Sequence, residues 1–303
     1  MKIPRHSRKK QQGIAVLTAI LIAAIVASLA FALSTRERLW LNQMQNHQDL
    51  AAAQAVAFGA IDLARLTLRD DMRNSSVDHL LEPWTIPIPP INVDEGKVSG
   101  RLVEMQGRFN LFNLQNNGKI NPSGMAILKR LLATRNLPLE WADKMALAMV
   151  KQGALAQTGA SAEQRGLILP VANLTELADL TGIDAKQLAT LEALVTILPE
   201  ATAINVNFAP PELLVAITPG LTVGEAEQIV NRRAANYFNS PQDYVNALPE
   251  KLRSQTGASA NTVESQYFVS EVDSWFGRAH VRLQAMIYRQ HNRMPELLWV
   301  RRL

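Results

Sequence analysis

The first feature of the hydrophobic pattern is an uninterrupted apolar stretch near the N-terminus. Uncharged sequence follows Gly13 as far as Leu33, and about 20 apolar residues are enough for a helix to span a bilayer. Apolar residues then recur at roughly helical spacing through 34–72, without a break after the apolar stretch. We therefore expect a transmembrane helix at 14–33 that continues outside the membrane as an amphipathic helix over 34–72.

The pattern changes its period twice after this helix. Alternation of apolar and polar residues predicts strands at 97–104 and 107–114, which we expect to form a hairpin around Gln106 and Gly107. Helical spacing follows in six segments: 125–132, 139–149, 174–180, 185–194, 211–217 and 224–232. Alternation returns near the C-terminus and predicts three more strands: 267–272, 278–289 and 297–301.

The order of a long helix, strands, a helical block and strands again predicts an α+β fold. In this fold a large α-helical domain is inserted between the strands of an antiparallel sheet. The predicted parts of the chain are a leader (1–13), a transmembrane helix (14–33), its extension (34–72), the first part of the sheet domain (73–120), the inserted helical domain (121–250) and the second part of the sheet domain (251–303).

The charges before the apolar stretch predict the orientation of the chain in the membrane. Five basic residues and no acid precede the stretch: Lys2, Arg5, Arg8, Lys9 and Lys10. A basic leader stays on the cytoplasmic side, so we expect a single-pass inner-membrane protein whose C-terminal domain lies in the periplasm.

The formal net charge is +4, and without these five residues the chain is close to neutral. This composition argues against general nucleic-acid affinity, and the absence of cysteine excludes a disulfide scaffold.

Three interpretations of the N-terminus remain open. A secretory signal peptide could be cut at the small residues around Phe31, although the apolar stretch is longer than such peptides require. A plain membrane anchor explains the helix. The junction at Gly13 instead resembles a type IV prepilin leader, which a prepilin peptidase cuts after glycine. That resemblance implies that Ile14 becomes the mature N-terminus and is then N-methylated.

The sequence contains little that indicates catalysis. The five histidines lie far apart, and none has another histidine three or four residues away to form a metal-binding pair. Nucleophile elbows, phosphate-binding loops and dinucleotide-binding glycine patterns are also absent. The acidic pair Asp70 and Asp71 is interpreted as solvated loop charge. We expect no enzymatic activity and no cofactor.

The segment 204–232 suggests an alternative function because it resembles a helix-hairpin-helix module, with a weaker echo at 176–183. Such modules hold DNA phosphates with backbone N–H groups, so a membrane-anchored DNA receptor of the competence type is the alternative. However, Thr222 replaces the second hairpin glycine, and Glu225 and Glu227 place negative charge where a phosphate would lie. We therefore expect a packing unit and no nucleic-acid partner.

Several motifs together resemble the protein K family of type II secretion system minor pseudopilins. They lie in the family's order at 107–114, 173–177, 195–199, 204–207 and 209–212, after the leader. The resemblance implies a pilin-like sheet with a helical insertion. It also implies a tip complex with the minor pseudopilins I and J that starts the pseudopilus, and contact with the major pseudopilin.

Two departures from the family pattern matter. The acid-rich segments expected around 148–153 and 159–163 are missing, and Glu163 is the one carboxylate there, so we expect no bound metal. Thr18, the fifth residue of the predicted mature chain, stands where most pilins and pseudopilins carry glutamate. A threonine hydroxyl can bond to a backbone carbonyl of its own helix, and a subunit without a predecessor needs no carboxylate. The predicted position is therefore the first, distal one.

Overall fold

The computed structural model describes residues 11–157, 173–254 and 261–303, and within the first range it describes the side chains of 14–151. The leader residues 1–10 and the segment 159–163 that bears on metal binding lie outside the described residues. Helices and strands are numbered below in chain order within the described ranges.

The chain begins with one continuous helix, α1, at Gln11–Asn74. It contains no proline, the residue that would kink a helix interior. Its N-terminal part has a mean hydropathy of 2.8 over 18 residues, which is apolar enough to cross a membrane. Residues 14–48 are exposed to solvent, and the helix packs on the rest of the chain only beyond them. The buried face is formed by Ala53, Ala57, Ile61 and Leu68.

The helix packs against a five-stranded antiparallel sheet of order β1-β2-β9-β10-β11. These strands are β1 (Ile88–Val93), β2 (Gly96–Glu104), β9 (Tyr267–Phe276), β10 (Ala279–Tyr288) and β11 (Glu296–Arg302). Among the described residues between β2 and β9, six two-residue strands occur: β3 (Phe109–Asn110), β4 (Gln115–Asn116), β5 (Lys119–Ile120), β6 (Val195–Thr196), β7 (Ile204–Asn205) and β8 (Asn261–Thr262). The sheet is thus assembled from two parts of the chain that the insertion separates.

Helices make up most of the insertion. They are α2 (Pro122–Thr134), α3 (Glu140–Gln157), α4 (Leu174–Thr181), α5 (Ala185–Ala189), α6 (Pro211–Ile217), α7 (Val223–Ala235), α8 (Pro241–Ala247) and α9 (Glu250–Arg253). Their apolar faces share one large core, separate from the smaller clusters between α1 and the sheet. The predicted α+β fold, with a helical domain inserted between strands of an antiparallel sheet, is confirmed.

The predicted hairpin around Gln106 and Gly107 is wrong. β2 pairs with β1 and β9, whereas Phe109 and Asn110 pair in parallel with β6 inside the insertion. The N–H groups of Gln106 and Gly107 donate to the Glu104 carboxylate at 2.6 and 2.7 Å. The chain therefore turns away from the sheet after β2 and enters the insertion instead of returning along β2.

One predicted helix is too long, and several short elements were not predicted. Strand β1 was missed because two consecutive prolines hide its strand pattern. The helix predicted at 185–194 ends at Ala189, and turns continue from there. The helices α8 and α9 were not predicted, although the capping box of Ser240 and Asp243 marks the start of α8.

Candidate assembly site

Thr18 lies in the apolar part of α1, one turn after Ile14. Its hydroxyl donates to the backbone carbonyl oxygens of Ile14 and Ala15, at 3.1 and 3.0 Å. A polar group in lipid is costly unless it is hydrogen-bonded, and these bonds satisfy the hydroxyl within the helix. The bond that the sequence predicts is therefore present, and Thr18 needs no partner from another chain.

Between the apolar segment and the sheet, α1 crosses open solvent. Residues 34–48 are all exposed, including Leu39, Trp40, Leu41 and Met44. The first contact with the sheet is at Asp49, whose carboxylate accepts a hydrogen bond from the backbone N–H of Arg278. At about 1.5 Å per residue, the uncovered stretch is roughly 22 Å long.

At the other end of α1, an arginine joins four segments of the chain. Arg289 follows β10 and its side chain is only 1% exposed. Its guanidinium contacts Asp71 of α1 at 2.9 Å and Asp78 of the following loop at 2.5 Å. It also donates to the carbonyl oxygen of Ser265 at 2.7 Å and lies over the ring of Phe268. Residues 71, 78, 265 and 289 form what we call the junction, together with Glu104.

Glu104, the last residue of β2, links the junction to the insertion. Its buried carboxylate accepts hydrogen bonds from the Ser265 hydroxyl and from the two N–H groups that begin the insertion. The Asn205 side chain donates to the same hydroxyl at 2.8 Å. Asn207 donates to the carbonyl oxygens of Asp78 and Phe238 at 3.1 and 2.9 Å. These asparagines belong to the motif at 204–207, so that motif holds the insertion against the end of the sheet.

A second asparagine motif closes the insertion on itself. The Asn110 side chain accepts from the backbone N–H of Leu198 and donates to the carbonyl oxygen of Glu200. Asn113 makes the matching pair of bonds with the backbone of Thr202, at 2.8 and 3.0 Å. Buried backbone groups require such partners. The motif at 107–114 therefore fixes the backbone of residues 198–202 in place.

Burial raises the pKa of three carboxyl groups in and beside the junction. The pKa of Asp78 is raised by burial, although Arg289 opposes the change. Burial raises the pKa of Glu104 to about 7 against its three hydrogen bonds. The pKa of Glu82 rises to about 8, also mainly through burial. These three carboxyl groups therefore hold a proton more readily in the folded chain than they would in water.

Among the described residues, one group of carboxylates has the spacing of a cation site. Oxygen atoms of Asp71, Asp78 and Glu82 lie within 4.8 Å of one another. However, Arg289 already bonds to two of these carboxylates and supplies the compensating positive charge. The set resembles an internal ion-pair network more closely than a cage of free oxygen ligands for a hard cation.

In the helix-hairpin-helix segment, a side chain of the protein itself occupies the site where a phosphate would bind. Glu225 accepts the backbone N–H of Thr222 at 2.9 Å, and Thr222 in turn accepts the N–H of Glu225. A carboxylate thus occupies the N-terminus of α7, where a DNA phosphate would bind. Arg233 is buried and donates to the carbonyl oxygen of Val206. The geometry gives no support to the DNA-receptor alternative.

The site residues predicted from the sequence lie at one end of α1, and the junction lies at the other end, where α1 contributes Asp71. Gly13, Ile14 and Thr18 all lie near its apolar N-terminal end. The interpretation of Asp71 as solvated loop charge is wrong, because it lies in the last turn of α1 and bonds to Arg289. Asp78 and Arg289 are 211 residues apart, so no local pattern in the sequence could indicate their contact.

Comparison with known proteins gives a consistent result. Two models of the family described as type II secretion system protein K match residues 107–200 and 204–264. The protein K of Pseudomonas aeruginosa is 31% identical over 290 residues, covering 88% of this chain and 85% of that protein. The protein K of Klebsiella pneumoniae is 27% identical over 307 residues and covers 93% of each chain.

The fold also matches a solved structure. A chain in the crystal structure of the GspK-GspI-GspJ complex from the type 2 secretion system of enterotoxigenic Escherichia coli aligns with a TM-score of 0.62. The sequences are 20% identical, and the match covers 88% of this chain and 99% of that chain. These comparisons, together with the apolar N-terminal helix and the inserted helical domain, show that the chain belongs to the protein K family of type II secretion system minor pseudopilins.

Proposed function

We propose that this minor pseudopilin forms the tip of the pseudopilus together with the minor pseudopilins I and J. Its role there is to start assembly for protein export across the outer membrane, and it performs no chemistry. The complex named in the matching crystal structure supports the choice of partners. The proposal includes contact with the major pseudopilin below, and no nucleic acid or cofactor.

The observation that carries the tip position is the internally bonded Thr18. In pilin-like assemblies a glutamate at this position is thought to pair with the N-terminal amine of the subunit already in place. A buried carboxylate without such a partner is costly in the membrane. A hydroxyl that bonds to its own helix removes this need, which suits a subunit with no predecessor.

The location of the insertion supports the same position. The junction holds it at the end of α1 that is farthest from the membrane segment. A helical domain of this size above the sheet would block the addition of a further subunit on top. We therefore assign the insertion the role of a cap.

Processing completes the proposal. A prepilin peptidase cuts after Gly13, and the new N-terminal residue, Ile14, is N-methylated. The chain then remains in the inner membrane through one helix, with its folded domain in the periplasm. The basic leader and the apolar start of α1 support this orientation.

The tip position is tested by expressing the chain with pseudopilins I and J. We expect a complex with one copy of each protein and with this chain at one end, visible by native mass spectrometry and electron microscopy. Homopolymeric filaments, or assembly that requires Thr18→Glu, would contradict the tip position.

Processing is tested by the mass of the mature chain. We expect an N-methylated Ile14 at the N-terminus, and full-length precursor in the inner membrane for Gly13→Leu. Gly59→Leu, a glycine on the same helix with open space around it, is the control and should be processed normally. An intact Met1 would support a plain anchor, and a start after Ala32 would support a signal peptide.

A further inference from the structure

The five-stranded sheet has two outer strands, β1 and β11. Within the described ranges, β1 pairs only with β2, and β11 pairs only with β10. An outer strand presents unpaired N–H and C=O groups on its free side, and another strand can bond to them. The two edges differ in how well they are protected against such pairing.

Strand β1 is poorly suited to accept a further strand. Pro89 and Pro90 lie at its centre and have no N–H to donate. Its register is irregular between Ile88 and Ile91. Prolines and irregularities of this kind are the usual protection of a sheet edge.

Strand β11 lacks this protection over most of its length. Its seven residues contain no proline, and its one irregularity lies at Leu298, between the paired residues Leu297 and Trp299. Leu298 and Val300 are 39% and 36% exposed. A long outer strand with exposed apolar side chains is a favourable template for a partner strand.

The charges at the end of β11 indicate what this partner carries. The guanidinium of Arg301 lies over the ring of Trp299 and bonds to the amide oxygen of Gln284, and Arg302 is exposed. In the part of the chain that the structure describes, neither arginine contacts a carboxylate. Opposite charges on facing residues stabilise a strand pair, so a partner strand with acidic residues fits this end.

A second copy of this chain is a poor partner, because α1 runs along the sheet in the direction of β10. Asp49 contacts Arg278 just before β10, and Asp71 contacts Arg289 just after it. Antiparallel pairing of two β11 strands would point the two membrane helices in opposite directions. Both helices could then not enter the same membrane. Parallel pairing would place Arg301 and Arg302 beside their own copies, and like charges repel.

We propose that β11 pairs with an extended strand of a companion pseudopilin, with acidic residues of that strand facing Arg301 and Arg302. This inference rests on the proposed function, because it takes the occupant from the tip complex. Backbone hydrogen bonds would supply affinity, and the two arginines would select the partner and its register.

The test uses the full chain, co-expressed in membranes with pseudopilins I and J, and with a photo-crosslinking residue at Val300. Ile91, similarly exposed on β1, is the matched control position. We expect a cross-link from position 300 to an acidic segment of one companion pseudopilin, and none from position 91. Equal cross-linking at both positions, or a product with twice the mass of this chain, would overturn the inference. A cross-link to an exported protein alone would overturn it as well.

A charge reversal separates strand pairing from mere proximity. Arg302→Glu should reduce the cross-link at position 300 roughly tenfold, as expected for the loss of a close charge pair. Lys97→Glu, on β2 and also exposed, should leave it unchanged. If the complex co-purifies without a cross-link at position 300, the β11 inference alone fails. If no complex forms at all, the proposed function fails with it.

Discussion

At the scale of single residues, Arg289 is the most consequential side chain of the folded domain. It is a buried cation whose partners come from α1 and from the loop after it. Removing one member of a buried ion pair leaves an uncompensated charge and typically costs about 3–5 kcal/mol. We expect a loss of this size for Arg289→Met, measured by chemical denaturation of the detergent-solubilised chain.

The matched control is Arg282→Met. Arg282 also bonds to an aspartate, Asp273, but its side chain is 52% exposed. Exposed pairs contribute about 0–1 kcal/mol, so this variant should remain close to the parent. Equal losses in the two variants would show that burial of Arg289 is not the cause.

The buried carboxyl groups make stability depend on pH. The ordinary pKa is 4.5 for Glu82 and Glu104, and burial raises it to about 8 and about 7 in the folded chain. The folded state therefore binds more protons than the unfolded state in this range, so the free energy of unfolding should fall as pH rises from about 4.5 to about 8. Denaturation curves at several pH values measure the slope.

Glu82→Gln should flatten this slope, because it removes a carboxyl group whose pKa burial raises further than that of Glu104. Glu95→Gln, an exposed residue in the turn between β1 and β2, serves as the control. An unchanged slope in Glu82→Gln would show that this carboxyl group is not the source of the pH dependence.

What the sequence could reveal about single residues depended on distance along the chain. The bond of Thr18 to its own helix was predictable, since its acceptors are three and four residues away. The contact of Arg289 with Asp78 was not, because residue type and spacing carry no information about a pair so far apart. The asparagine motifs were visible only as a resemblance, and their hydrogen bonds required the fold.

At the scale of elements, two glycines near helix starts are a matched pair. A Cβ atom at Gly124 in α2 would lie 2.2 Å from the backbone oxygen of Asn113, whereas one at Gly224 in α7 would meet nothing within 4 Å. We expect Gly124→Ala to destabilise the chain by about 1–3 kcal/mol through overpacking. Gly224→Ala should instead stabilise it by up to about 1 kcal/mol, because alanine favours helix.

Thermal or chemical unfolding of the two variants side by side measures this difference. A tolerated Gly124→Ala would mean that α2 can move away from the segment before it. The hydrophobic period was enough to predict α2 as a helix. Its close approach to Asn113 could not be predicted, because that contact depends on the fold.

Elements with a clear hydrophobic period were recovered from the sequence, and those without one were not. The strands near the C-terminus and α6 were predicted close to their observed bounds, whereas α8, which has the same length as α6, was not predicted. The hairpin after β2 was wrong because period-two alternation does not reveal which strand is the partner. The hydrogen bonds that the Glu104 carboxylate accepts turn the chain away from β2. They depend on Ser265, which is distant in the sequence.

At the scale of the whole molecule, the compensated charges of the junction bear on metal binding. Arg289 already satisfies Asp71 and Asp78. We therefore expect no calcium-dependent change in the melting temperature of the chain. Millimolar calcium should give the same melting curve as magnesium at equal ionic strength, and a rise of several degrees with calcium alone would contradict the prediction.

The order of the elements was enough to predict the insertion of a helical domain into the sheet, because the strand pattern stops and resumes. The attachment of that domain was not predictable. It depends on Asn205, Asn207 and Glu104, whose partners come from both parts of the sheet domain.

The continuity of α1 has a mechanical consequence. The part of the helix that follows Gly13 has 61 residues without proline, so it is a continuous rod roughly 90 Å long. Its far end is held by the bond between Asp71 and Arg289. A push applied by subunits at the membrane end would therefore travel along the rod and arrive as compression at the junction. The helical insertion would then move by the same distance as the N-terminal part of α1, because the helix between them has no proline at which it could bend.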